Sequence, residues 1–204
     1  MRLIGMLDSP YVRRVAVSMK FMGLPLAHEP VSVFRHYDAF TAINPVVKAP
    51  SLVTDDGVVL MDSTLILDHI ERLAEPALRL TPETLTDHAR SQRLIGLALT
   101  ACEKSVQIVY EHQLRPVEKL HQPWLDRVHG QLLAAYGLLE AEIGSGDAYL
   151  FGERPMQADI TLAVAWSFSR SMIPELIPVE EHPTLARFAA RMEALPEFIA
   201  TPAE

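Results

Sequence analysis

The spacing of apolar residues changes along the chain and divides it into two parts. In the first third, a short apolar run at 3–7 and a second strand-like segment at 27–33 flank a stretch of helical spacing at 11–22. Beyond about residue 86, apolar residues recur only at helical spacing. The pattern therefore predicts an α/β domain followed by an all-α domain.

The first part is predicted to have the order βαβ, loop, ββα, which suits a small mixed sheet flanked by helices. Pro10 fits the first position of a helix, and Gly23 suits its end. The segment Asp55-Asp56-Gly57 lies between two strand-like runs and is typical of a hairpin. The predicted strands are 3–7, 27–33, 51–54 and 58–61, and the predicted helices are 11–22, a short one within 33–43, and 63–74.

The second part contains no convincing strand pattern. Two prolines and little helical pattern follow residue 74, and a linker is therefore predicted at 77–86 between a domain of residues 1–76 and a helical domain of residues 87–204. One of its helices is apolar nearly all round, which predicts a buried central position. The predicted helices are 87–114, 124–143, 157–172 (the apolar one) and 183–195.

Composition and charge argue against a nucleic-acid-binding protein, a membrane protein and a disulfide-stabilised protein. The formal net charge of −8 disfavours non-specific binding to nucleic acid or to an anionic membrane. The single cysteine allows no internal disulfide. No apolar run reaches the length of a membrane span, and the first residues do not resemble a signal peptide. We therefore expect a cytoplasmic protein whose ligands, if anionic, are held by local donors.

Three short segments carry the candidate chemistry. Proline at position 50 does not belong in a central strand, and a cis bond before it costs only about 0.5–1 kcal/mol, which would leave the backbone of Ala49 open to pair with a ligand. Asp62-Ser63 begins a predicted helix, where free N–H groups suit a carboxylate and the Asp62 side chain suits an ammonium. Together with Ser9 at another helix start, these segments predict a pocket for a small anionic peptide.

Ser9 alone allows two interpretations. Serine is a good N-cap, and a structural role as a cap explains it without any ligand. Alternatively, its hydroxyl and the positive end of the helix dipole favour an anion, and a thiolate held there would have its pKa lowered from about 8.5. The residues by themselves leave this choice open.

The motifs, taken in order, resemble those of the cytosolic glutathione transferases with a serine-type active site, and the resemblance covers essentially the whole chain. It implies a thioredoxin-like N-terminal domain followed by an all-helical domain, and a protein that is dimeric with an identical copy. The segments that carry it are 9–15 (SPYVRRV), 44–52 (NPVVKAPSL), 60–66 (LMDSTLI) and 150–160 (LFGERPMQADI).

The resemblance also implies an activity and a set of site residues. Ser9 would activate the sulfur of the co-substrate glutathione for attack on a small hydrophobic electrophile, as in detoxification. Tyr11 and Tyr110 are candidates for the second-substrate site, with aromatic packing as the alternative for both. The residues implied to bind glutathione are Lys48, Ala49, Pro50, Asp62, Ser63 and His36.

The chain departs from the family pattern at a few positions. Met156 replaces the usual serine or threonine of a capping box, so Asp159 is the structural residue expected to reach back to a backbone donor. Val47 stands where many relatives have glycine, and Ala49 replaces a commoner valine.

The remaining residues with reactive side chains suggest little further chemistry. Cys102 is expected to be a small core residue, and the histidines lack the spacing of metal ligands, so no metal is expected. Two other functions stay open: a glutathione-dependent reductase or peroxidase, which would need a reactive cysteine, and a non-catalytic interaction module with a transferase-like fold.

Overall fold

The computed structural model describes residues 1–203 and divides into two compact units. The first unit comprises Met1–Leu80 together with the C-terminal segment that begins at Ala194. The second unit comprises Thr81–Glu193. The predicted fold class, a small mixed sheet with helices followed by a helical part, is confirmed.

Within residues 1–203, the first unit contains four strands and four α-helices. They are β1 (Arg2–Ile4), α1 (Pro10–Phe21), β2 (Ala27–Glu29), α2 (Tyr37–Ile43), β3 (Ser51–Val53), β4 (Val59–Met61), α3 (Ser63–Glu71) and, from the end of the chain, α8 (Pro196–Ile199). All the predicted elements of this part are present, although the strands are shorter than predicted. In particular β2 stops before Pro30, which has no N–H to donate to a ladder.

The sheet has the strand order β2-β1-β3-β4. The strand β1 pairs parallel with β2 and antiparallel with β3, and β3 pairs antiparallel with β4 across the predicted hairpin. Leu3, Ile4 and Leu52 of the sheet are fully buried, as are Val15 of α1 and Ile66 of α3. Gly23 ends α1 with a φ of 66°, a left-handed conformation that favours glycine.

The C-terminal segment packs on α1. The Arg13 guanidinium donates from Nε to the carbonyl oxygen of Thr201 at 2.9 Å and lies 5.5 Å from the centre of the Phe198 ring. The Phe198 ring also meets Phe21 edge-on, with ring centres 6.4 Å apart. The last residues of the chain, predicted from the sequence to belong to the helical domain, thus pack against the first helix of the first unit.

The second unit contains four α-helices, α4 (Leu85–Leu114), α5 (Gln122–Glu142), α6 (Gln157–Met172) and α7 (Pro183–Glu193). The central one is α6, which is buried nearly all round as its apolar sequence predicts. Its polar side chains are satisfied inside the bundle: Ser169 Oγ lies 2.6 Å from Ser105 Oγ and accepts from the Tyr136 hydroxyl at 2.7 Å. Within residues 1–203, no helix combines the length and apolar character that a membrane span requires.

His182 lies just before α7 in an unusual environment. Its side chain is 5% exposed, and neither ring nitrogen has a hydrogen-bond partner within residues 1–203. The ring packs between those of Tyr136 and Trp166, at 5.9 and 5.7 Å between centres. Burial lowers the pKa of His182, while the carboxylates of Glu140 and Glu181 oppose part of that fall. The folded protein therefore favours the neutral imidazole.

Acidification is expected to destabilise the protein through His182. The unfolded chain takes up this proton at a pH of about 6.5, above the pKa of the folded state. The stability that neutral His182 contributes is thus present above about pH 6.5 and is lost as the pH falls below it. Urea unfolding at several pH values should show a smaller loss of stability on acidification in His182→Phe than in the wild type. Equal losses in the two proteins would contradict this role.

Candidate functional site

The register of the sheet brings the predicted site residues to one edge. Ile4 at the end of β1 is aligned with Glu29 at the end of β2 and with Ser51 at the start of β3, and Ser51 is aligned with Met61 at the end of β4. The segments that follow β1, β2 and β4 and the one that precedes β3 therefore leave the sheet at the same edge. These segments carry Ser9, His36, Lys48 to Pro50, and Asp62-Ser63.

Ser9 is the N-cap residue of α1, with an extended backbone (φ −74°, ψ 124°). Its carbonyl oxygen accepts the first hydrogen bond of the helix, from Arg13 N at 2.9 Å. Its hydroxyl makes no cap hydrogen bond, and the side chain is half-buried. The hydroxyl is therefore available at the positive end of α1, which is the arrangement that stabilises an anion.

Charges beside Ser9 modify this site. Desolvation raises the pKa of the Asp8 carboxyl, and the Arg35 guanidinium and the Ser9 backbone N–H oppose part of that rise. The ionised carboxylate of Asp8 disfavours a second anion nearby, whereas Arg35 favours one. Arg35 thus supplies a positive charge on the β2–α2 segment close to the start of α1.

The segment before β3 is held by its own side chains. Asn44 Nδ2 donates to Ser51 Oγ at 2.9 Å, and Ser51 Oγ donates to the carbonyl oxygen of Lys48 at 2.8 Å. The peptide bond between Ala49 and Pro50 is cis. Ala49 is half-buried, and the Lys48 side chain is exposed.

Gly5 allows this segment to approach the β1–α1 connection. Its φ is 137°, and a Cβ added there would lie 2.6 Å from Val12 Cγ2 and 3.3 Å from the Cβ of Ala49. Only glycine avoids this clash. The close approach places Ala49 beside the chain that leads to Ser9.

Val47 adopts a left-handed conformation with a φ of 53°. This conformation is unfavourable for a β-branched side chain and favours glycine. The backbone at Val47, directly before Lys48, is therefore strained.

Asp62 and Ser63 form the start of α3 and are tied to α1. Asp62 has a φ of 71°, and its Oδ1 accepts from the backbone N–H of Thr64 at 2.9 Å. The buried Arg14 guanidinium donates from Nη1 to Ser63 Oγ at 3.0 Å and to Thr64 Oγ1 at 3.3 Å. The second carboxylate oxygen of Asp62 is not used in the cap, and a left-handed aspartate is a strained feature of the kind that occurs at binding sites.

His36 lies in a loop that Ser32 organises. Ser32 Oγ accepts from the backbone N–H groups of Phe34 and Arg35, and the Ser32 backbone N–H donates to His36 Nδ1 at 3.2 Å. The His36 side chain is exposed. His36 thus lies at the same edge of the sheet as Ser9, with one ring nitrogen engaged in the loop.

Two residues of this region were missed by the sequence analysis. Arg14 is 2% exposed and is among the largest fully buried side chains. The signal for it was an arginine within the buried stripe of α1, next to Val12 and Val15. Asp8 gave no signal beyond its position before Ser9, because its environment depends on Arg35, which is distant in the sequence.

Of the other candidates, only Tyr11 lies near Ser9, in the first turn of α1. Tyr11 is half-buried in α1, and Tyr110 is exposed near the end of α4. Asp159 in α6 is fully buried, and its carboxylate accepts from the backbone N–H groups of Leu150 at 2.9 Å and Met156 at 3.0 Å. Cys102 is buried within α4. Among residues 1–203, no group of three or more His, Cys, Asp or Glu side chains is placed to hold a metal ion.

Comparison with known proteins identifies related folds. The maleylacetoacetate isomerase of Pseudomonas aeruginosa is 29% identical over 201 residues, which cover 92% of this chain and 82% of that protein. A glutathione transferase family member from Pseudomonas fluorescens Pf-5, solved with bound glutathione, is 30% identical with a TM-score of 0.86 over 100% of this chain and 98% of that one.

A third relative was also solved with a glutathione derivative. The glutathione S-transferase of Methylobacterium radiotolerans JCM 2831, in complex with glutathione sulfonate, is 26% identical with a TM-score of 0.89 over 98% of this chain and 93% of that one. Residues 3–78 match the family model of the glutathione S-transferase N-terminal domain, and residues 122–191 match that of the C-terminal domain. The chain therefore belongs to the glutathione S-transferase family.

Proposed function

We propose that this protein is a glutathione transferase in which the Ser9 hydroxyl activates the sulfur of glutathione for attack on a small hydrophobic electrophile. The observation that carries the proposal is the free Ser9 hydroxyl at the positive end of α1, on the sheet edge where the peptide-binding segments converge. If the Ser9 hydroxyl accepted a cap hydrogen bond from the helix backbone, a purely structural role would explain this serine.

The two ends of the peptide need opposite charges. In our proposal, Asp62 receives the ammonium of the γ-glutamyl group with the oxygen that its cap leaves unused, and the Ser63 hydroxyl donates to the adjacent carboxylate. Ser63 Oγ already accepts a hydrogen bond from Arg14, which leaves its own proton for the ligand. The buried guanidinium adds a positive charge behind this carboxylate.

In our proposal, the segment before β3 binds the cysteinyl and glycyl parts of glutathione. The backbone of Ala49 is proposed to pair with the cysteinyl part in the manner of an added strand, with Pro50 shaping the turn. Lys48 is exposed and is proposed to neutralise the glycine carboxylate, with His36 as a further donor. The local positive charges matter because the chain has a formal net charge of −8.

The chemistry then requires only a thiolate. The Ser9 hydroxyl donates a hydrogen bond to the sulfur and stabilises the thiolate. This lowers the pKa of the bound thiol, so the thiol proton leaves to solvent. The thiolate forms a bond to an electrophilic carbon, and either a leaving group departs with its electron pair or an unsaturated acceptor takes up a proton. Arg35 supports the anion, while Asp8 opposes it when ionised.

Calorimetric titration with reduced glutathione tests the binding part. Asp62→Asn keeps an oxygen for the Thr64 cap but removes the charge that meets the ammonium, and we expect its affinity to fall about tenfold or more. Asp68→Asn is the matched control, because Asp68 is an exposed carboxylate on the same helix that pairs with Arg72. It should bind as the wild type does. Saturable binding equal in all three proteins would overturn the assignment of Asp62, and no binding by the wild type would overturn the function.

A second candidate function is a glutathione-dependent isomerisation. It is favoured by the similarity to the maleylacetoacetate isomerase of Pseudomonas aeruginosa. In such a reaction the thiolate would add to an unsaturated substrate and leave again, so that glutathione is not consumed. Measuring free thiol during turnover distinguishes the two: conjugation depletes it and isomerisation does not.

Two other functions have less support. A reductase that uses a cysteine nucleophile would need a thiol where Ser9 lies, and the single cysteine is buried in α4. A non-catalytic module would bind glutathione without turning over any electrophile.

We further propose that the protein is cytoplasmic and forms a homodimer. Sedimentation at micromolar concentration tests the oligomeric state, and a monomer at that concentration would refute the dimer.

A further inference from the structure

Two carboxyl groups lie on the segments that converge at the site edge of the sheet, those of Asp8 and Asp62. Asp62 Oδ1 accepts from the backbone N–H of Thr64, and the other Asp62 oxygen is assigned above to the ammonium of glutathione. Asp8 has no part in holding the peptide. Asp8 is thus a carboxyl group beside the proposed thiolate without an assigned function.

The backbone places the Asp8 carboxyl at the start of α1. The Ser9 backbone N–H donates to the carbonyl oxygen of Met6 at 3.2 Å, which closes a turn around Leu7 and Asp8. The same N–H also interacts with the Asp8 carboxyl, and such sharing of one donor is common at helix ends. The Asp8 carboxyl and the Ser9 hydroxyl therefore lie at the same helix start.

The surroundings of Asp8 suit a group that gives up a proton and takes it back. Desolvation is the largest influence on the carboxyl and raises its pKa, so its neutral form is easier to populate than that of an ordinary aspartate. The Arg35 guanidinium and the Ser9 N–H lower the pKa, and they stabilise the carboxylate that remains once a proton is given. The side chain also reaches solvent, which can restore the proton.

Two reaction types of a bound thiolate differ in their need for a proton. Displacement at an aryl halide releases the halide with its electron pair, and no carbon is protonated. Addition to an α,β-unsaturated carbonyl compound forms the C–S bond at the β-carbon and leaves an enolate, which must be protonated at the α-carbon. A positioned acid therefore accelerates only the second reaction.

We propose that Asp8 is the acid that protonates the enolate when glutathione adds to an α,β-unsaturated carbonyl compound, and that such compounds are the substrate class. This inference rests on the function proposed above. The negative charge of the thiolate at Ser9 disfavours ionisation of the neighbouring Asp8 carboxyl and so keeps its proton in place. As the C–S bond forms, the charge passes to the enolate, and the Asp8 carboxyl gives its proton to the α-carbon. The carboxylate then takes a proton from solvent, which balances the thiol proton released to solvent at the start.

Steady-state kinetics with two electrophiles test the role of Asp8: benzalacetone, an α,β-unsaturated ketone, and chlorodinitrobenzene, an aryl halide. Asp8→Asn keeps the shape but has no acidic proton, and its kcat with the ketone should fall about 100-fold, the low end of what a positioned acid contributes. Its kcat with the aryl halide should rise about twofold, because a carboxylate that opposes the thiolate is lost. Asp8→Glu retains an acid and should recover most of the activity with the ketone.

Asp38→Asn is the matched control, because Asp38 is an exposed carboxylate in the first turn of α2, close in sequence to Arg35. It should turn over both electrophiles as the wild type does. Equal losses with the two electrophiles in Asp8→Asn would show a structural role and overturn the proposal, as would an unchanged rate with benzalacetone. A wild type that uses only the aryl halide would overturn the substrate class. Absence of glutathione binding by the wild type in calorimetric titration would instead overturn the proposed function, so the two failures are distinguishable.

Discussion

Replacing Ser9 by alanine should lower the turnover of glutathione with an aryl halide electrophile about 100-fold, while the affinity for glutathione changes little. Loss of one preorganised donor to a developing or stabilised anion typically has an effect of this size. The Ser9 hydroxyl makes no cap hydrogen bond, so its removal leaves the start of α1 intact. Steady-state kinetics and calorimetry on the same preparation measure the two quantities separately.

The dependence on pH distinguishes activation from a change in shape. Without the Ser9 hydroxyl, the bound thiol should ionise at a higher pH, so the deficit of Ser9→Ala should shrink once the pH exceeds the pKa of the free thiol, about 8.5. Ser9→Thr keeps a hydroxyl and should retain most of the activity. A deficit that is constant across the pH range would show that Ser9 does not act on the ionisation of the sulfur.

Replacing Asp159 by alanine should lower the free energy of unfolding by about 2–5 kcal/mol. The change leaves the backbone N–H groups of Leu150 and Met156 without their acceptor, and each unsatisfied buried donor costs about 1–3 kcal/mol. Asp159→Asn retains a single acceptor oxygen and should lie between alanine and the wild type. Urea denaturation at constant pH measures the free energy of unfolding of the wild type and of the two variants.

The effect of Asp159 should also depend on pH. Burial raises the pKa of its carboxyl to about 6, although the hydrogen bonds from Met156 and Leu150 and the charge of Arg191 lower it. The folded state therefore binds this proton more tightly than the unfolded chain, so its stabilising effect is full below about pH 4 and is lost as the pH rises through 6. From pH 7 to pH 5, the wild type should gain about 1 kcal/mol relative to Asp159→Asn. A difference that is independent of pH would mean that the carboxyl does not titrate in this range.

Local patterns were sufficient for most of the elements. The bounds of α6, Gln157–Met172, agree with the prediction because its residues are apolar nearly all round and Pro155 limits it. The hairpin between β3 and β4 follows from the turn at Gly57, whose φ is 87°. Two strands were predicted too long, because the apolar residues Met6 and Leu7 follow β1, and Val31 and Val33 follow β2, after the ladder has ended.

The site residues were predictable only as separate segments. Helix-start chemistry selected Ser9 and Asp62, but no local pattern shows that β1, β2, β3 and β4 end in register at one edge. The position of Arg14 next to Val12 and Val15 indicates burial, but its role depends on contacts with Ser63 and Thr64, about fifty positions away, which no local pattern shows. Likewise, nothing local separates a serine that caps a helix from one whose hydroxyl remains available.

The packing of α8 on α1 makes the first unit discontinuous in sequence. A protein fragment that ends at Leu80 would lack Phe198 and the carbonyl of Thr201, and it would expose the Phe21 ring and leave the Arg13 guanidinium without that acceptor. The first unit is therefore not a detachable module, because a fragment or fusion boundary at Leu80 would separate it from its C-terminal segment. Synthesis must also proceed past Thr201 before this unit can close, so its folding is completed only after the second unit has been made.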